Sequence, residues 1–125
     1  MNDIIYRDEC YKIMGILFNV YKSLGYGLRE KDYQQAIKEE FKINNINFSE
    51  QVRSPLKYNN KIIRNYYLDF LIDNQIVLEI KAKEKFYDDN IAQVYSYLKS
   101  TNLKLGIIAN FTKKGVKFKR IVNLY

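Results

Sequence analysis

The stretch YLDFLIDNQIVLEIKAK, from Tyr67 to Lys83, constrains the fold more than any other part of the chain. It reads as two short apolar strands joined by a turn, yet each strand carries charge. Asp69 sits among Tyr67, Leu68, Phe70 and Leu71, and Glu79 among Val77, Leu78 and Ile80, with Lys81 two residues on. Charged side chains are seldom fully buried unless paired or bound to a metal. Side chains alternate faces along a strand, so Glu79 and Lys81 point the same way. Two carboxylates and an ammonium on one spot suit a divalent metal beside a phosphate; a structural salt-bridge network on a half-solvated sheet face is the other reading.

The turn decides whether the two acids can share a site at all. In an antiparallel pair, opposed residues share a face, and a slip of one residue reverses that. If Ile72 opposes Ile76 across the loop Asp73-Asn74-Gln75, Asp69 opposes Glu79. An even loop would put the two acids on opposite faces. A shared site therefore requires the odd loop, or a compensating bulge, and Asn74 can take the left-handed conformation such a loop needs.

Composition narrows the chemistry. There is no histidine and only one cysteine, Cys10. Imidazole bases, histidine-ligated zinc and intrachain disulfides are excluded, so any hydrolysis must use carboxylates, lysine, tyrosine or metal-activated water. Cys10 falls on the apolar face of a predicted helix and reads as an inert core thiol. Lys and Arg number 21 against 14 Asp and Glu, a net charge of +7 that favours polyanionic partners or simply keeps the surface soluble. No apolar run reaches the roughly 18 residues of a membrane span, and the N-terminus lacks a signal-peptide core. A soluble, intracellular protein with no membrane partner is expected, residues 1–125 forming one domain.

Residues 4 to 23 have the spacing of an amphipathic helix, with Cys10, Ile13, Met14, Leu17 and Tyr21 as its apolar stripe and Phe18 and Leu24 extending it. Gly25 and Gly27 separate it from a second helix, Leu28 to about Ile43. Glu30 lies one turn before Tyr33 and faces the same inner side; acids in a first helical turn also simply complement the macrodipole. Residues 46 to 58 hold the only proline, Pro55, as suits an edge strand or a bulge rather than a central strand. Asn59-Asn60 reads as a hairpin turn leading to strand 61–72, and 76–83 follows as the next strand. Asp88 to Ser100 is a third helix, in which Gln93 and Tyr97 are neighbours one turn apart, either acting together or as an exposed amide beside a half-buried ring. LKLGIIANF, 103–111, is a central strand, and VKFKRIV, 116–122, a last strand alternating apolar and basic. The order is ααβββαββ, a mixed α/β sheet flanked by helices.

These residues resemble the GxxExxY family, a branch of the PD-(D/E)XK nuclease superfamily. The naming motif stands as Gly27, Glu30 and Tyr33, and the acidic core as Asp69, Glu79 and Lys81. The helix motif matches Gln93, Tyr97 and Leu98, a GLLINF-like strand matches Gly106 to Phe111, and the closing basic strand matches Phe118 to Val122. The likeness runs from Ile13 to Val122. Two positions depart from it: Asn90 replaces a frequent histidine, and Tyr66-Tyr67-Leu68 precede Asp69 without the proline of the superfamily's name.

The resemblance implies a restriction-endonuclease-like core with its site at one end of a splayed strand pair. It implies Mg²⁺, with Mn²⁺ as substitute, held by Asp69, Glu79, Glu30 and the Ile80 carbonyl. Lys81 would orient water or stabilise charge at phosphorus, Gln93 would position substrate or Lys81, and Tyr33 and Tyr97 would brace the pocket. Lys83, Lys85, Lys113, Lys117, Lys119 and Arg120 would contact a nucleic-acid backbone, DNA being the first expectation, in salt-dependent fashion. Two rival readings remain: a non-catalytic nucleic-acid-binding or protein-interaction module that keeps the fold, towards which Asn90 leans, and a structure-selective, junction-resolving nuclease. A chain without a separate recognition domain could reach two strands as a homodimer.

Overall fold

The structure, a computed structural model, describes residues 5–84 and 88–124, the side chains of 88 and 89 excepted. Helix α1 (Arg7–Leu24) and helix α2 (Glu30–Ile43) come first. Strands β1 (Phe48–Tyr58), β2 (Lys61–Ile72) and β3 (Ile76–Lys81) follow, then helix α3 (Asp88–Thr101) and strands β4 (Leu105–Thr112) and β5 (Gly115–Val122). The element order matches the one read from periodicity, with ends moved by a few residues.

The five strands lie side by side in the order β1-β2-β3-β4-β5. All neighbours are antiparallel except β3 and β4, which are parallel. A parallel pair needs a crossover, and α3 supplies it. Pro55 lies on β1, an edge strand, where its missing N–H costs no ladder bond. Asn59 and Asn60 are both left-handed, at φ 50° and 64°, as a tight two-residue hairpin requires.

Each face of the sheet has its own apolar layer. Ile13, Leu17 and Val20 of α1 and Tyr33, Ile37 and Phe41 of α2 pack on Phe70, Ile72, Leu78, Ile80, Ile107 and Phe111. On the other face, Val94, Tyr97 and Leu98 of α3 pack on Leu68, Val77, Ile108 and Ile121. A Cβ on Gly106 would run into the Val94 side chain, so the missing side chain lets α3 settle on β4. The buried stripe of α1 is rotated from the expected one. It runs through Cys10, Ile13, Ile16, Leu17 and Val20, while Phe18 and Leu24 are exposed. Phe18 still meets Phe118 edge-on, at 5.4 Å between centroids.

Alternation along β2 breaks at Asp69. Phe70 belongs to the α1–α2 layer and Leu68, two residues away, to the α3 layer. The opposed residue on β1 is Gln51, whose φ of 49° is unusual for a side-chain-bearing residue. The hairpin therefore turns at this level, and its distal half leans towards α3.

Candidate active site

The odd loop is present. Asp73 and Asn74 both adopt positive φ, Gln75 N–H donates to Ile72 O at 2.9 Å, and Ile72 pairs with Ile76. The regular β2–β3 ladder then ends at Phe70–Leu78. Past it the two acids take over from the backbone. Glu79 Oε1 accepts the Asp69 N–H at 2.6 Å, and Asp69 Oδ2 accepts the Ile80 N–H at 2.7 Å. Each carboxylate occupies the place of a main-chain acceptor on the facing strand, and the strands part around them.

Two further side chains hold the exit of β3. Glu30, at the start of α2, accepts the Ala82 N–H through Oε2 at 3.2 Å. Asn110 on β4 is buried and accepts the Lys83 N–H at 2.8 Å. Gln34, one turn after Glu30, donates to Asp69 Oδ1 at 3.1 Å. Tyr33 fixes the loop that delivers Glu30. Its hydroxyl donates to Gly25 O at 2.7 Å and accepts the Leu28 N–H at 3.3 Å, and its ring stacks on Phe111. Gly27 sits in that loop at φ 101°, a conformation open to glycine and costly for other residues.

The electrostatics are unbalanced. Burial pushes Asp69 up to about 6, against the pull of the Ile80 N–H and the Lys81 ammonium; the Glu30 charge adds to the rise. Burial, then the Asp69 charge, pushes Glu79 up to about 7, opposed by the Asp69 N–H and by Lys81. Glu79 is only 6% exposed. Lys81 Nζ stands 3.8 Å from Glu79 Oε2, one ammonium beside the Asp69 and Glu79 carboxylates.

A family model of the PD-(D/E)XK nuclease superfamily matches residues 7–121. The chain belongs to that superfamily. No curated protein matches it. Among solved structures, the crystal structure of SSO0001 is similar at a TM-score of 0.57 and 19% identity, over 74% of this chain and 49% of that one. This chain thus spans about half the length of SSO0001. An alkaline exonuclease (LHK-Exo) from Laribacter hongkongensis is similar at a TM-score of 0.52 and 11% identity, over 98% of this chain and 72% of that one. The mixed sheet with helices on both faces is the restriction-endonuclease-like fold that the resemblance implied.

PD-(D/E)XK nucleases generally use divalent metal ions, and the donor set here fits one. It is all oxygen, as hard cations prefer, and burial, with repulsion between the acids adding to it, raises the Asp69 and Glu79 pKa values, a penalty that a bound cation would offset. Among the described residues, no three acidic side chains stand close enough to share an ion, and each of the three carboxylates accepts a backbone N–H.

The other sequence-predicted residues are distributed unequally in this PD-(D/E)XK fold. The ladders align Glu79 with Ile108 and Lys119, and Lys81 with Asn110 and Lys117, so both lysines share the face of the acids. Arg120 is on the opposite face, beside α1, where it donates to Ile5 O at 2.9 Å. Lys113 lies in the β4–β5 turn and Lys83 just past β3, both exposed. Lys85 lies outside the described residues. Tyr97 is buried in the α3 layer, and burial raises its hydroxyl pKa. Gln93 lines a groove between α3 and the β1–β2 hairpin. Reading the sequence missed Gln34 and Asn110. Gln34 follows Glu30 by one helical turn, and Asn110 is an amide in an otherwise apolar run; both signals were available.

Proposed function

We propose that the chain is a metal-dependent nuclease of the GxxExxY branch that hydrolyses phosphodiester bonds of DNA. The observation that carries this reading is the buried Asp69–Glu79 pair at the parted end of β2 and β3, with raised pKa values and Lys81 alongside. A structural ion-pair network would balance its charges; here two buried carboxylates face one ammonium. Asp69 and Glu79, with Glu30 and the Ile80 carbonyl, would hold Mg²⁺, or Mn²⁺ in its place. The ion would supply Lewis acidity towards water and a phosphate oxygen.

The chain's own residues do the rest. Lys81 places a positive charge where negative charge grows on the phosphate in the transition state. Gln34 orients Asp69 through Oδ1, and Asn110 fixes the segment following Lys81. Lys117 and Lys119, on the acids' face of the sheet, attract the phosphate backbone without reading sequence. LHK-Exo is described as an alkaline exonuclease, which supports nuclease chemistry on this fold and leaves this chain's own substrate to be measured.

The test is cleavage of supercoiled, linear and single-stranded DNA and of RNA with Mg²⁺, Mn²⁺ or chelator. Metal-dependent cleavage that disappears in Asp69→Asn and in Lys81→Ala is expected. Salt-sensitive binding with no cleavage under any metal would replace this reading with the non-catalytic module.

A further inference from the structure

The distal half of the β1–β2 hairpin forms one wall of a groove and α3 the other. Ser54, Arg64 and Tyr66 face Gln93 and Ser96 across about 370 Å³. This is near the lower end of small-molecule sites, enough for a base and its sugar but not for a base-paired duplex. The Arg64 guanidinium stands over the Tyr66 ring, 4.3 Å from its centroid. Among the described residues the Gln93 side chain has no hydrogen-bond partner. From Gln51 to Leu68 the hairpin carries four cations, Arg53, Lys57, Lys61 and Arg64, and no acid. Glu50, just before it, is already paired with Lys38 at 2.9 Å.

The groove lies on the same hairpin as Asp69. Tyr66 precedes Asp69 by three residues, about 10 Å along an extended strand. Tyr66 shares the α3 side with Leu68, while Asp69 stands between the parted strands and is reached from the other side by Gln34 of α2. An aromatic ring backed by a guanidinium, in a groove with free amide and hydroxyl groups, is the chemistry that binds unstacked bases.

We propose that this groove holds an unpaired nucleic-acid strand, a base stacking against the Tyr66–Arg64 pair and Gln93 and Ser96 bonding its edge, so that the substrate class is single-stranded or frayed nucleic acid. The assignment rests on the nuclease reading for the fate of that strand, but its test does not. Labelled oligothymidylate of about 12 nucleotides, inside the usual range of single-strand site sizes, is titrated with the full chain in chelator, alone and annealed to oligoadenylate. Fluorescence anisotropy is the readout.

The free strand should bind roughly tenfold more tightly than the duplex. Tyr66→Ala should weaken free-strand binding about tenfold, the loss of one stacked base, with little change for the duplex. Tyr66→Phe, which keeps the ring, should restore it. If Tyr66→Ala does not fold, Gln93→Ala on the other wall should weaken the free strand alone by a few-fold. Equal affinity for the two probes, or equal losses for both in the folded variant, would overturn the assignment. Strand preference that follows Tyr66 without cleavage under any metal would leave the groove standing and remove the nuclease. Cleavage without strand preference would do the reverse.

Discussion

Replacing Asp69 by Asn should make the metal-free protein more stable while removing its activity. In the folded chain Asp69 has moved from 3.8 to about 6. At 1.36 kcal/mol per pKa unit, its charge costs the fold about 3 kcal/mol above pH 7. The carboxamide keeps an oxygen for the Ile80 N–H, and Gln34 can turn its own amide to accept rather than donate. Weakening a charge-assisted bond to Ile80 gives back about 1 kcal/mol. The net gain is about 2 kcal/mol, or about 1 M in urea midpoint for a domain of this size. Its pH dependence carries a sign. Both acids have folded pKa values above their ordinary ones, so the native state keeps protons that the unfolded chain has released. Stability is highest where both are protonated and falls as pH rises from about 4 towards 7. The advantage of Asp69→Asn should therefore appear at pH 8 in chelator and vanish near pH 4.5. Urea unfolding of both proteins at the two pH values measures it. A variant no more stable than the parent at pH 8, or a gap unchanged with pH, would refute the claim that burial and repulsion dominate this site.

Magnesium should raise the urea midpoint of the parent chain at pH 8 and leave that of Asp69→Asn almost unmoved, since a ligand stabilises only the state that binds it. Tyr33→Phe removes both hydroxyl bonds to the Gly25–Leu28 loop and should cost 1–3 kcal/mol in urea unfolding. Gly106→Ala should cost about 1–3 kcal/mol through its collision with Val94; Val94→Ala in the same chain should recover part of it, as a double-mutant cycle would record. Lys117→Ala combined with Lys119→Ala should weaken DNA binding and flatten its dependence on salt by a slope of about 1–2, readable by anisotropy at several ionic strengths.

Several elements were legible because their signals are local. Alternation made the outcome depend on one loop: if Ile72 met Ile76 across Asp73-Asn74-Gln75, Asp69 would oppose Glu79, and the structure pairs Ile72 with Ile76. Pro55 marked an edge, Asn59-Asn60 a turn, and LKLGIIANF an inner strand. Each of these depends on neighbours only a few positions away. The family likeness, not spacing, carried Glu30 into the site, since a first-turn acid is ordinary in any helix.

Tertiary packing decided the remainder. Gln34 reaches Asp69 across 35 positions of chain and Asn110 reaches Lys83 across 27, distances over which no periodicity operates. The same holds for the basic strand β5. Its lysines and Arg120 look alike in sequence, yet opposite faces of one strand send Lys117 and Lys119 towards the acids and Arg120 towards α1. The break at Gln51 and Asp69 has no sequence signature of its own, because it arises where two carboxylates displace main-chain bonds between strands. The sequence by itself determined which residues could share a face; only the packed layers determined which of them would meet, because contact depends on how separate elements are stacked and not on the order in which they are joined.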